Sequence, residues 1–482
     1  MAVDARSNSG RAEPRCVPST RPAPARVDVR HDRVVTSPAP PTSDVAGPAL
    51  PTPGPADVTS FDRDVLGELE WRGLLAQSTD RAALAADLAA GQLTYYCGFD
   101  PTAPSLHVGS LVQILTLRRL QLAGHRPLAL VGGATGLIGD PKPTSERQLN
   151  DADVVAGWVE RLRDQITPYL DVTGPNAAVL VNNLDWTASL SAIDLLRDIG
   201  RHFRVNRMLA KEAVSARLNS ESGISYTEFS YQILQGMDFL ELHRRHGCTL
   251  QTGGSDQWGN LTAGTELVRK VTGSSVHALS TTLLAKADGT KFGKTESGTV
   301  WLDPTMTSPY AFFQFWLATD DRDAGRYLRT FSFRSPQEIE DLEEQTRQRP
   351  QARVAQRALA AELTTLVHGA AQLTAVEAAS VALFGGGALE DLDAATLEAA
   401  LAEAPSTTVT GEVPPLIELL ADALGISRSD ARRAVREGGA YLNNRRLTDE
   451  GELAGESDWL QGRFLVMRRG KRTLAVVERV PT

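Results

Sequence analysis

The chain has 482 residues and a mass of 51.9 kDa, which is enough for about three domains of ordinary size. Hydrophobic residues make up 42% and charged residues 23%, as in ordinary globular proteins, so a core needs no metal or disulfide to complete it. The net charge of −9 excludes a globally basic coat for nucleic acid, although a local basic patch can still bind RNA.

Cysteine usage and hydropathy indicate in which cellular compartment the protein is expected. Cys16, Cys97 and Cys248 are widely spaced and odd in number, which argues against a secreted disulfide framework and against a cysteine-based zinc site. The longest uncharged stretch after the N-terminal segment, 304–319, is too short to span a membrane, and the N-terminus has no apolar h-region. We therefore expect a reduced cytoplasmic protein with no membrane partner and no metal site of its own.

Residues 1–60 differ in composition from the rest of the chain. They hold 11 of the 26 prolines, with many Ala, Ser and Arg and almost no large apolar residues. Such a segment cannot bury enough surface to offset the entropy lost on ordering, so we predict that it is disordered. It is either an RNA-contacting or targeting arm, or an extension from a start codon assigned too far upstream. Composition favours the second interpretation.

From residue 61 to 307, short apolar runs alternate with amphipathic stretches. Buried parallel strands are predicted at 93–99, 127–132 and 177–182, and helices at 111–123 and 152–166. This alternation predicts a Rossmann-like, doubly wound parallel α/β sheet.

The remainder of the chain divides into three parts. Residues 308–384 are predicted to form an α-helical domain, and the Gly-rich, acidic segment 385–412 a linker. Residues 413–482 are predicted to form a small α+β domain. From residue 425 to the end, this domain has 12 Lys and Arg against 8 Asp and Glu, so it is locally basic.

The first motif follows a predicted strand, in the segment 96–110 with sequence YCGFDPTAPSLHVGS. A turn that contains proline precedes His107, and His107-Val108-Gly109 opens an amphipathic helix. This arrangement directs backbone N–H groups and a histidine at an anion, and Gly109 allows a nucleotide to approach the backbone. Alone the motif is weak, because a histidine at a helix start is more often a cap.

The second motif is the loop KFGKT at 291–295. Lysine is a flexible point charge, so Lys291 and Lys294 suit a mobile clamp on a triphosphate. The string is not a P-loop, because Asp288 stands where that motif has its first glycine. On this string alone, a solvated surface loop is the better explanation.

The third group combines YQILQGMD at 231–238 with QTGGSDQWGN at 251–260. Tyr231, Gln235 and Asp238 are spaced four and three apart, which places them on one face of a helix. Such a face indicates a small polar ligand or, alternatively, a satisfied polar cluster in the core. The Gly-Gly-Ser-Asp-Gln run is typical of a strand-to-helix loop at the carboxyl edge of a parallel sheet.

In order and separation, these motifs resemble the class I aminoacyl-tRNA synthetases, with 107–110 at the HIGH motif and 291–295 at the KMSKS motif. The resemblance is closest to the bacterial tyrosyl-tRNA synthetases, also matches GGATGLIGDP at 132–141, and covers about residues 61–482. It implies a tyrosine–tRNA ligase that activates L-tyrosine with ATP, releases pyrophosphate, and transfers tyrosine to the 3′ end of tRNA(Tyr). It further implies that residues 61–307 form the catalytic domain and that the helical domain at 308–384 approaches the anticodon. Mg²⁺ that accompanies ATP, no tightly bound cofactor, and a homodimer are also implied.

The resemblance also implies a role for each matching residue. Substrate tyrosine would be bound by Tyr96, Asp140, Tyr231, Gln235, Asp238 and Gln257. ATP would be bound by Asp100, His107, Gly109, Ser110, Gly253, Asp256 and Lys294. Charge on the phosphates would be stabilised in catalysis by Thr102, His107, Lys291, Lys294 and Thr295. Tyr96 and Asp238 would hydrogen-bond the phenolic hydroxyl of tyrosine, and Arg147 is expected to contact phosphate or tRNA.

The last segment resembles the S4-type RNA-binding domain that bacterial members carry at this end. The expected contacts to the RNA backbone are Arg432, Arg433, Arg436, Arg445 and Arg446. Guanidinium groups match phosphate geometry, which supports this expectation. The alternative is a solvated basic face.

The sequence departs from the family pattern at Ser110, which replaces the second histidine of the HIGH motif. Serine is shorter and uncharged, so a contact there must be shorter or pass through water. We interpret it as a tolerated variation, because the tyrosine-binding residues and both lysines are present. Three functions stay open: the housekeeping ligase, a paralogue with an RNA-binding or regulatory role, and an adenylate-forming enzyme with a different acyl acceptor.

Overall fold

The computed structural model describes residues 64–142, 145–221, 223–295, 298–383, 387–402, 404–470 and 473–480. The predicted disorder of 1–60 lies outside these residues. The central sheet has six strands: β1 (Leu75–Ser78), β2 (Thr94–Phe99), β3 (Arg126–Val131), β4 (Val179–Asn182), β5 (Cys248–Gly254) and β6 (His277–Thr281). Their order across the sheet is β1-β6-β5-β2-β3-β4.

The strand order reverses in the middle of this sheet. The five strands from β2 to β6 are parallel, and β1 is antiparallel to β6. The chain moves from β2 to β3 and β4 on one side, then returns to β5 and β6 on the other. In open α/β sheets, ligands bind at the carboxyl ends of the strands where such a reversal occurs. The predicted doubly wound α/β class is confirmed.

Helices cover both faces of the sheet. Up to β6 they are α1 (Val65–Trp71), α2 (Arg81–Ala90), α3 (Val108–Leu122), α4 (Ala152–Ile166), α5 (Leu184–Thr187), α6 (Ala192–Asp194), α7 (Val205–Leu209), α8 (Glu212–Leu218), α9 (Tyr226–His246) and α10 (Trp258–Thr272). In β2, Tyr95 and Cys97 belong to the core shared with α3 and α4, whereas Tyr96 belongs to the core shared with α9 and α10. Side chains alternate between the faces of a strand, so both faces of β2 are buried.

A second, helical region follows the sheet. A two-stranded hairpin of β7 (Lys294–Thr295) and β8 (Gly298–Thr299) leads to α11 (Pro309–Leu317), α12 (Asp321–Phe331), α13 (Pro336–Gln348), α14 (Val354–His368) and α15 (Ala370–Leu383). Two buried arginines tie this region to the sheet, because Arg72 and Arg119 both donate to the Ser332 carbonyl, at 2.8 and 2.9 Å. No helix within the described ranges is long and apolar enough to cross a membrane.

The C-terminal part is a five-stranded sheet with its own helices. Its elements are α16 (Ala394–Leu401), β9 (Ser406–Val409), α17 (Leu416–Leu424), α18 (Arg428–Arg436), β10 (Ala440–Leu442), β11 (Arg445–Arg446), β12 (Phe464–Arg469) and β13 (Thr473–Arg479). The strand order is β11-β10-β12-β13-β9, and β9 is parallel to β13. These strands and the helices α17 and α18 enclose a separate apolar core.

The prediction of a linker at 385–412 is wrong for much of its length. Helix α16 buries Leu397 and Leu401 in the main core, and β9 completes the C-terminal sheet. The Gly-rich, acidic composition at the start of the segment concealed this structure. A helix of eight residues and a strand of four are too short to give a clear periodic signal.

Candidate active site

A cavity of about 320 Å³ opens at the carboxyl ends of β2 and β5, where the strand order reverses. Of the residues identified from the sequence, those that line it are Tyr96, Asp100, Thr102, Ser110, Asp140, Arg147, Tyr231, Gln235, Asp238, Gly253, Asp256 and Gln257. Strand β2 and the residues after it form one wall, α9 a second, and the turn between β5 and α10 a third. Ligand pockets are commonly ~300–1,000 Å³, so this cavity has the size of a small-molecule site.

Two buried polar groups lie at the inner end of the cavity. The hydroxyl of Tyr96 on β2 is buried and has no hydrogen-bond partner among the described residues. Asp238 on α9 accepts from Asn183 Nδ2 at 3.0 Å and from Trp186 Nε1 at 2.9 Å. An unpaired buried hydroxyl costs free energy, so this end of the cavity is suited to a ligand with a hydroxyl of its own.

The protonation of Asp238 is finely balanced. Burial raises the pKa of this carboxyl to about 7, even though the hydrogen bonds from Asn183 and Trp186 act to lower it. Burial, and then the charge of Asp238, also raise the pKa of the Tyr96 hydroxyl. The inner end of the cavity therefore holds one neutral phenol and one carboxyl that titrates near neutral pH.

The polar face of α9 that the sequence predicted is confirmed, because Tyr231, Gln235 and Asp238 all line the cavity. The Tyr231 hydroxyl donates to Asp100 Oδ2 at 2.7 Å, and the Thr135 hydroxyl donates to Asp100 Oδ1 at 2.6 Å. Burial raises the pKa of Asp100 to about 6, against these two hydrogen bonds. Within the described part of the chain the buried Oε1 of Gln235 has no partner, so it remains available to a donor in the cavity.

A third carboxyl group in the cavity, that of Asp140, accepts hydrogen bonds from side-chain amides. Its two oxygens accept from Gln257 Nε2 at 2.8 Å and from Asn260 Nδ2 at 3.2 Å. Lys211 Nζ donates to Asn260 Oδ1 at 2.5 Å, and burial lowers the pKa of Lys211 to about 7. Burial also raises the pKa of Asp140. This wall of the cavity thus presents acceptors that suit a cationic ligand group.

His107 lies at the start of α3 and acts as its N-cap. Its Nδ1 accepts from the N–H groups of Gly109 and Ser110, at 3.0 and 3.3 Å. Two of the backbone donors that we expected to face an anion are therefore already paired, and the expectation is wrong for them. Desolvation, and then the charge of Lys294, lower the pKa of His107. His107 is therefore more often neutral at pH 7, with Nδ1 as the acceptor.

The loop with the two lysines packs beside the start of α3. Val300 N–H donates to the Gly293 carbonyl at 3.0 Å, and Val108 N–H donates to the Val300 carbonyl at 3.1 Å. Gly293 has a φ of +76°, and a Cβ there would lie 2.9 Å from Val108 Cγ2, so the position requires glycine. The lysine loop and the first motif are thus in contact. Among the described residues that line the cavity, His107, Gly109, Lys291 and Lys294 are absent, and the side chain of Thr295 lies outside the described part of the structure.

Arg147 lines the cavity and is held by its own backbone and side chain. Its N–H donates to Glu228 Oε1 at 2.7 Å, and its Nε donates to the Asp140 carbonyl at 2.8 Å. Glu228 forms an ion pair with Arg217 at 2.9 Å, and both side chains are 1% exposed. The Lys142 pKa is lowered first by the charge of Arg147, so two cations meet at this edge of the cavity.

Sequence reasoning missed several residues that shape the site. Asn183 and Trp186 hold Asp238, Thr135 holds Asp100, and Lys211 and Asn260 hold the wall around Asp140. A signal existed for Asn183, because a polar residue directly after a buried strand of a parallel sheet lies at its ligand-binding edge. No local pattern marks Trp186 or Lys211.

The five arginines predicted to bind RNA lie in the C-terminal part, on α18 and β11. Arg432 and Arg436 both face Glu450, at 3.7 and 3.2 Å. Arg433 pairs with Asp430 at 2.6 Å, and Arg445 pairs with Glu452 at 2.6 Å. Arg446 donates to the Gly438 carbonyl at 2.8 Å. The side chains of the four ion-paired arginines are 50–68% exposed. Phosphates can therefore compete with the carboxylates for them.

Comparison with known proteins places both parts of the chain. Residues 88–385 match the family model described as tRNA synthetases class I (W and Y). Residues 396–477 match the model of the tyrosine–tRNA ligase SYY-like C-terminal domain. The second match begins within the segment predicted as a linker, in agreement with the helix found there.

The chain is similar to bacterial tyrosine–tRNA ligases and to a fungal mitochondrial enzyme of known structure. The tyrosine–tRNA ligase of Streptomyces avermitilis is 67% identical over 417 residues, which cover 86% of this chain and 99% of that protein. The tyrosine–tRNA ligase of Acidothermus cellulolyticus is 62% identical over 421 residues, with the same two shares. Among solved structures, a C-terminally truncated mitochondrial tyrosyl-tRNA synthetase of Coccidioides posadasii is 30% identical with a TM-score of 0.58, over 65% of this chain and 91% of that one.

Proposed function

Since this chain belongs to the tyrosine–tRNA ligases of the class I tRNA synthetase family, we propose that its central cavity activates L-tyrosine with ATP and that tRNA(Tyr) accepts the product. The observation that carries the assignment of tyrosine to the cavity is its inner end. There the unpaired Tyr96 hydroxyl and the Asp238 carboxyl could both hydrogen-bond a phenolic hydroxyl of the ligand.

Selection of tyrosine over phenylalanine follows from these two groups. The phenolic hydroxyl would donate to Asp238 and accept from Tyr96. Phenylalanine would leave the buried Tyr96 hydroxyl unpaired and would give Asp238 no donor beyond Asn183 and Trp186. This enzyme family is itself the usual example of such discrimination, at about 10⁵ without editing. No separate hydrolytic domain is needed for it.

The remaining tyrosine contacts suit the amino acid's backbone groups. We assign its α-ammonium to the acceptors on the opposite wall: Asp140, Tyr231 and Gln235. We assign its carboxylate to the side near Gln257, whose amide nitrogen is turned towards Asp140 in the free enzyme. These contacts would direct the carboxylate towards the turn after β5, where Gly253 and Asp256 would receive the adenosine ribose.

Activation joins the two substrates directly. A carboxylate oxygen of tyrosine attacks the α-phosphorus of ATP, the bond to the bridging oxygen breaks, and pyrophosphate leaves with its negative charge. The carboxylate is already a nucleophile, so no general base is required, and catalysis rests on positioning and charge stabilisation. A ribose hydroxyl at the 3′ end of tRNA then attacks the carbonyl carbon, AMP leaves, and tyrosine becomes esterified to tRNA.

The phosphates would lie at the cavity mouth. We assign them to Thr102, His107, Ser110 and Arg147, with Lys291, Lys294 and Thr295 closing over the leaving pyrophosphate. The loop lies against the start of α3, because Val300 bonds both Gly293 and Val108, which supports this assignment of the lysines.

Mg²⁺ would enter with ATP. Among the described residues no group of three His, Cys, Asp or Glu could hold a metal ion by itself. That donor set fits Mg²⁺ held mainly by phosphate oxygens and water, which is its usual coordination in nucleotide sites. The ion would neutralise charge on the phosphates, and the cavity lining includes the carboxylates of Asp100 and Asp256.

The partners we propose are tRNA and a second copy of the chain, and the compartment is the cytoplasm, where the acceptor tRNA is found. The helical region at 308–384 would approach the anticodon, and the S4-like part at 413–482 would bind the RNA backbone through its arginines. A homodimer is supported by exposed apolar side chains concentrated between residues 184 and 226.

Amino-acid-dependent exchange of pyrophosphate into ATP tests this function without any tRNA. Purified enzyme is given tyrosine, phenylalanine or tryptophan, and labelled ATP is measured. We expect exchange with tyrosine alone, which would also show that Ser110 supports activation. Folded enzyme that exchanges with none of the three would refute the proposal and favour an RNA-binding paralogue.

A further inference from the structure

The lysine loop, defined here as residues 285–294, is a small hairpin with charged, exposed tips. Ala285 pairs with Lys291, and the Lys286 N–H donates to the Thr290 carbonyl at 2.9 Å. Lys291 and Lys294 are exposed, whereas Phe292 between them is half-buried. The loop is therefore polar and exposes its two lysines, and Phe292 is its one aromatic residue.

Phe292 inserts its ring into an aromatic cluster of the helical region. Its centroid lies 4.9 Å from that of Tyr327 and 5.6 Å from that of Phe331, both on α12. The centroids of Phe315 and Trp316 on α11 lie at 6.0 and 5.9 Å. Aromatic pairs at these separations attract one another beyond the area they bury, so four such contacts hold the ring firmly.

Polar bonds fix the same loop to the same helix. Ala287 N–H donates to Asp323 Oδ2 at 2.9 Å, and the Arg326 guanidinium donates to the Ala285 carbonyl. Arg326 is also paired with Asp323, which is 4% exposed. The start of the loop and its aromatic residue thus both rest on α12 (321–331).

Gly293 faces the other way, against the first turn of α3, where His107 and Ser110 lie. Two neighbouring residues of the loop therefore contact two different regions. Phe292 packs on helices α11 and α12 of the helical region, and Gly293 packs on α3, which lies against the central sheet. Any shift of α12 relative to α3 would be transmitted to the residues on either side of this pair, which are Lys291 and Lys294.

We propose that Phe292 is a positioning residue that seats the lysine loop on α11 and α12 and thereby sets the location of Lys291 and Lys294 over the pyrophosphate. This inference rests on the proposed function for its catalytic consequence, but the seating itself does not depend on it. The helical region, which lies between the active site and the RNA-binding part, thereby controls the geometry of the two lysines.

The series Phe292→Tyr, Phe292→Leu and Phe292→Ala tests the catalytic consequence in full-length enzyme. A misplacement of about 1 Å can cost up to about 100-fold in rate, so Phe292→Ala should lower the rate of exchange by about 10- to 100-fold. Phe292→Leu should lie between, and Phe292→Tyr should stay near the parent. The dissociation constant for tyrosine, which binds at the far end of the cavity, should not change.

Two comparisons separate positioning from general damage. Leu373→Ala removes a partly buried apolar side chain from α15 in the same helical region and should leave exchange unchanged. In a Lys294→Ala background, Phe292→Ala should cost much less than in the parent, because the group it positions is gone. Equal losses in both backgrounds, or weakened tyrosine binding, would overturn the proposal.

Limited digestion with trypsin tests the seating without any substrate. Lys291 and Lys294 are trypsin sites, and cleavage there requires the loop to leave its seat. Phe292→Ala should speed cleavage after these lysines by about tenfold or more, while Leu373→Ala should not. An unchanged cleavage rate would refute the anchor. The digestion does not depend on catalysis. If the parent enzyme showed no pyrophosphate exchange, the proposed function would be refuted, but the digestion would still test whether Phe292 anchors the loop.

Discussion

We propose that Asp238 combines a structural and a recognition role in one side chain. Its oxygens accept from Asn183 and Trp186, and burial raises its pKa to about 7, so it is half-protonated near neutral pH in the free enzyme. A tyrosine hydroxyl that donates to the carboxylate stabilises the ionised form. Binding of tyrosine is therefore linked to release of a proton from this group.

That linkage predicts a pH-dependent affinity. Below about pH 7 the carboxyl must first lose its proton, so the dissociation constant for tyrosine should fall as pH rises from 5.5 to 7.5 and level off above. One linked proton gives at most about a tenfold change per pH unit. Titration of tyrosine fluorescence changes, or calorimetry at each pH, measures this directly.

Phenylalanine provides the matched control in this experiment. It presents the same α-ammonium to Asp140 and the same carboxylate, so any titration of Asp100 or Asp140 affects both amino acids equally. Only the difference between the two profiles reports Asp238. Asp238→Asn should flatten that difference and reduce selectivity for tyrosine. An unchanged preference in this variant would contradict the assigned phenol contact.

At this scale, the sequence predicted the residues whose relation is local. Tyr231, Gln235 and Asp238 share one helix, so their spacing alone placed them on one face. Asn183 reaches Asp238 across 55 positions of sequence, and Lys211 reaches Asn260 across 49. Such contacts depend on how β4 and α8 sit against α9 and α10, which no local periodicity encodes.

Between elements, a buried ion pair organises the edge of the active site. Arg217 on α8 pairs with Glu228 in the first turn of α9, and its guanidinium also donates to the carbonyls of Lys142 and Ser145, at 3.3 and 2.7 Å. Glu228 in turn accepts from the Arg147 backbone. Two helices and the segment that carries Arg147 are thus joined at one buried point.

We expect Arg217→Met to weaken both folding and the handling of ATP. Removal of one member of a buried pair leaves the other charge uncompensated, which costs about 3–5 kcal/mol. Adding Glu228→Gln removes that charge and should recover much of the stability. The double variant should still show a raised KM for ATP in pyrophosphate exchange, because Arg147 has lost its support.

The pair of Arg244 and Glu241, at the other end of α9, offers a control, because its arginine is about half exposed. Arg244→Ala should change the unfolding free energy by less than about 1 kcal/mol and leave the KM for ATP unchanged. Thermal melting and exchange kinetics on the same preparations compare the variants. A normal KM for ATP in the Arg217 double variant would show that Arg147 does not depend on this pair.

Elements were predicted well where a periodic pattern was long. The helix at 152–166 has the predicted bounds, and the parallel strands at β2, β3 and β4 differ by at most two residues at either end. The linker prediction failed because α16 and β9 are short and are stabilised by partners far along the chain. Strand β9 exists because β13, more than sixty residues later, pairs with it.

For the whole molecule, this pairing sets where the C-terminal part can be removed. A cut at residue 412 would leave β9 without β13, so truncation after α16, at residue 402, is the cleaner change. Phe464 and Val466 on β12 also pack into the main core, so either cut exposes some apolar surface. We expect the truncated enzyme to retain tyrosine-dependent exchange and to lose most tRNA charging.

Measurement of both reactions on one preparation makes this test decisive, because exchange reports the intact cavity while charging reports RNA binding. A matched variant, Arg432→Ala with Arg436→Ala, removes the two arginines that face Glu450 without disturbing the sheet. It should weaken tRNA binding most strongly at low salt. Full charging by the truncated enzyme would contradict the RNA-binding role of this part.

The largest assembly we propose is the homodimer, and the distribution of exposed apolar residues indicates its surface. Seven of the fifteen large apolar side chains that are exposed in the described part of the chain lie between residues 184 and 226. They are Leu184, Ile193, Leu196, Val205, Leu209, Leu218 and Tyr226. Exposed apolar surface on this scale is costly in water, and a second copy that covers it would offset that cost.

Ile193→Glu places a charge within this surface at a position that is 66% exposed in the single chain. A charge on a free surface leaves the fold intact, whereas a charge inside a dimer interface must be desolvated, so the variant should dissociate to monomers. Sedimentation velocity at low micromolar concentration measures this, with Val381→Glu on α15, at 54% exposure, as the control that should stay dimeric. If the parent sediments as a monomer, or if both variants remain dimers, the segment 184–226 is not the interface, and its apolar side chains need another partner.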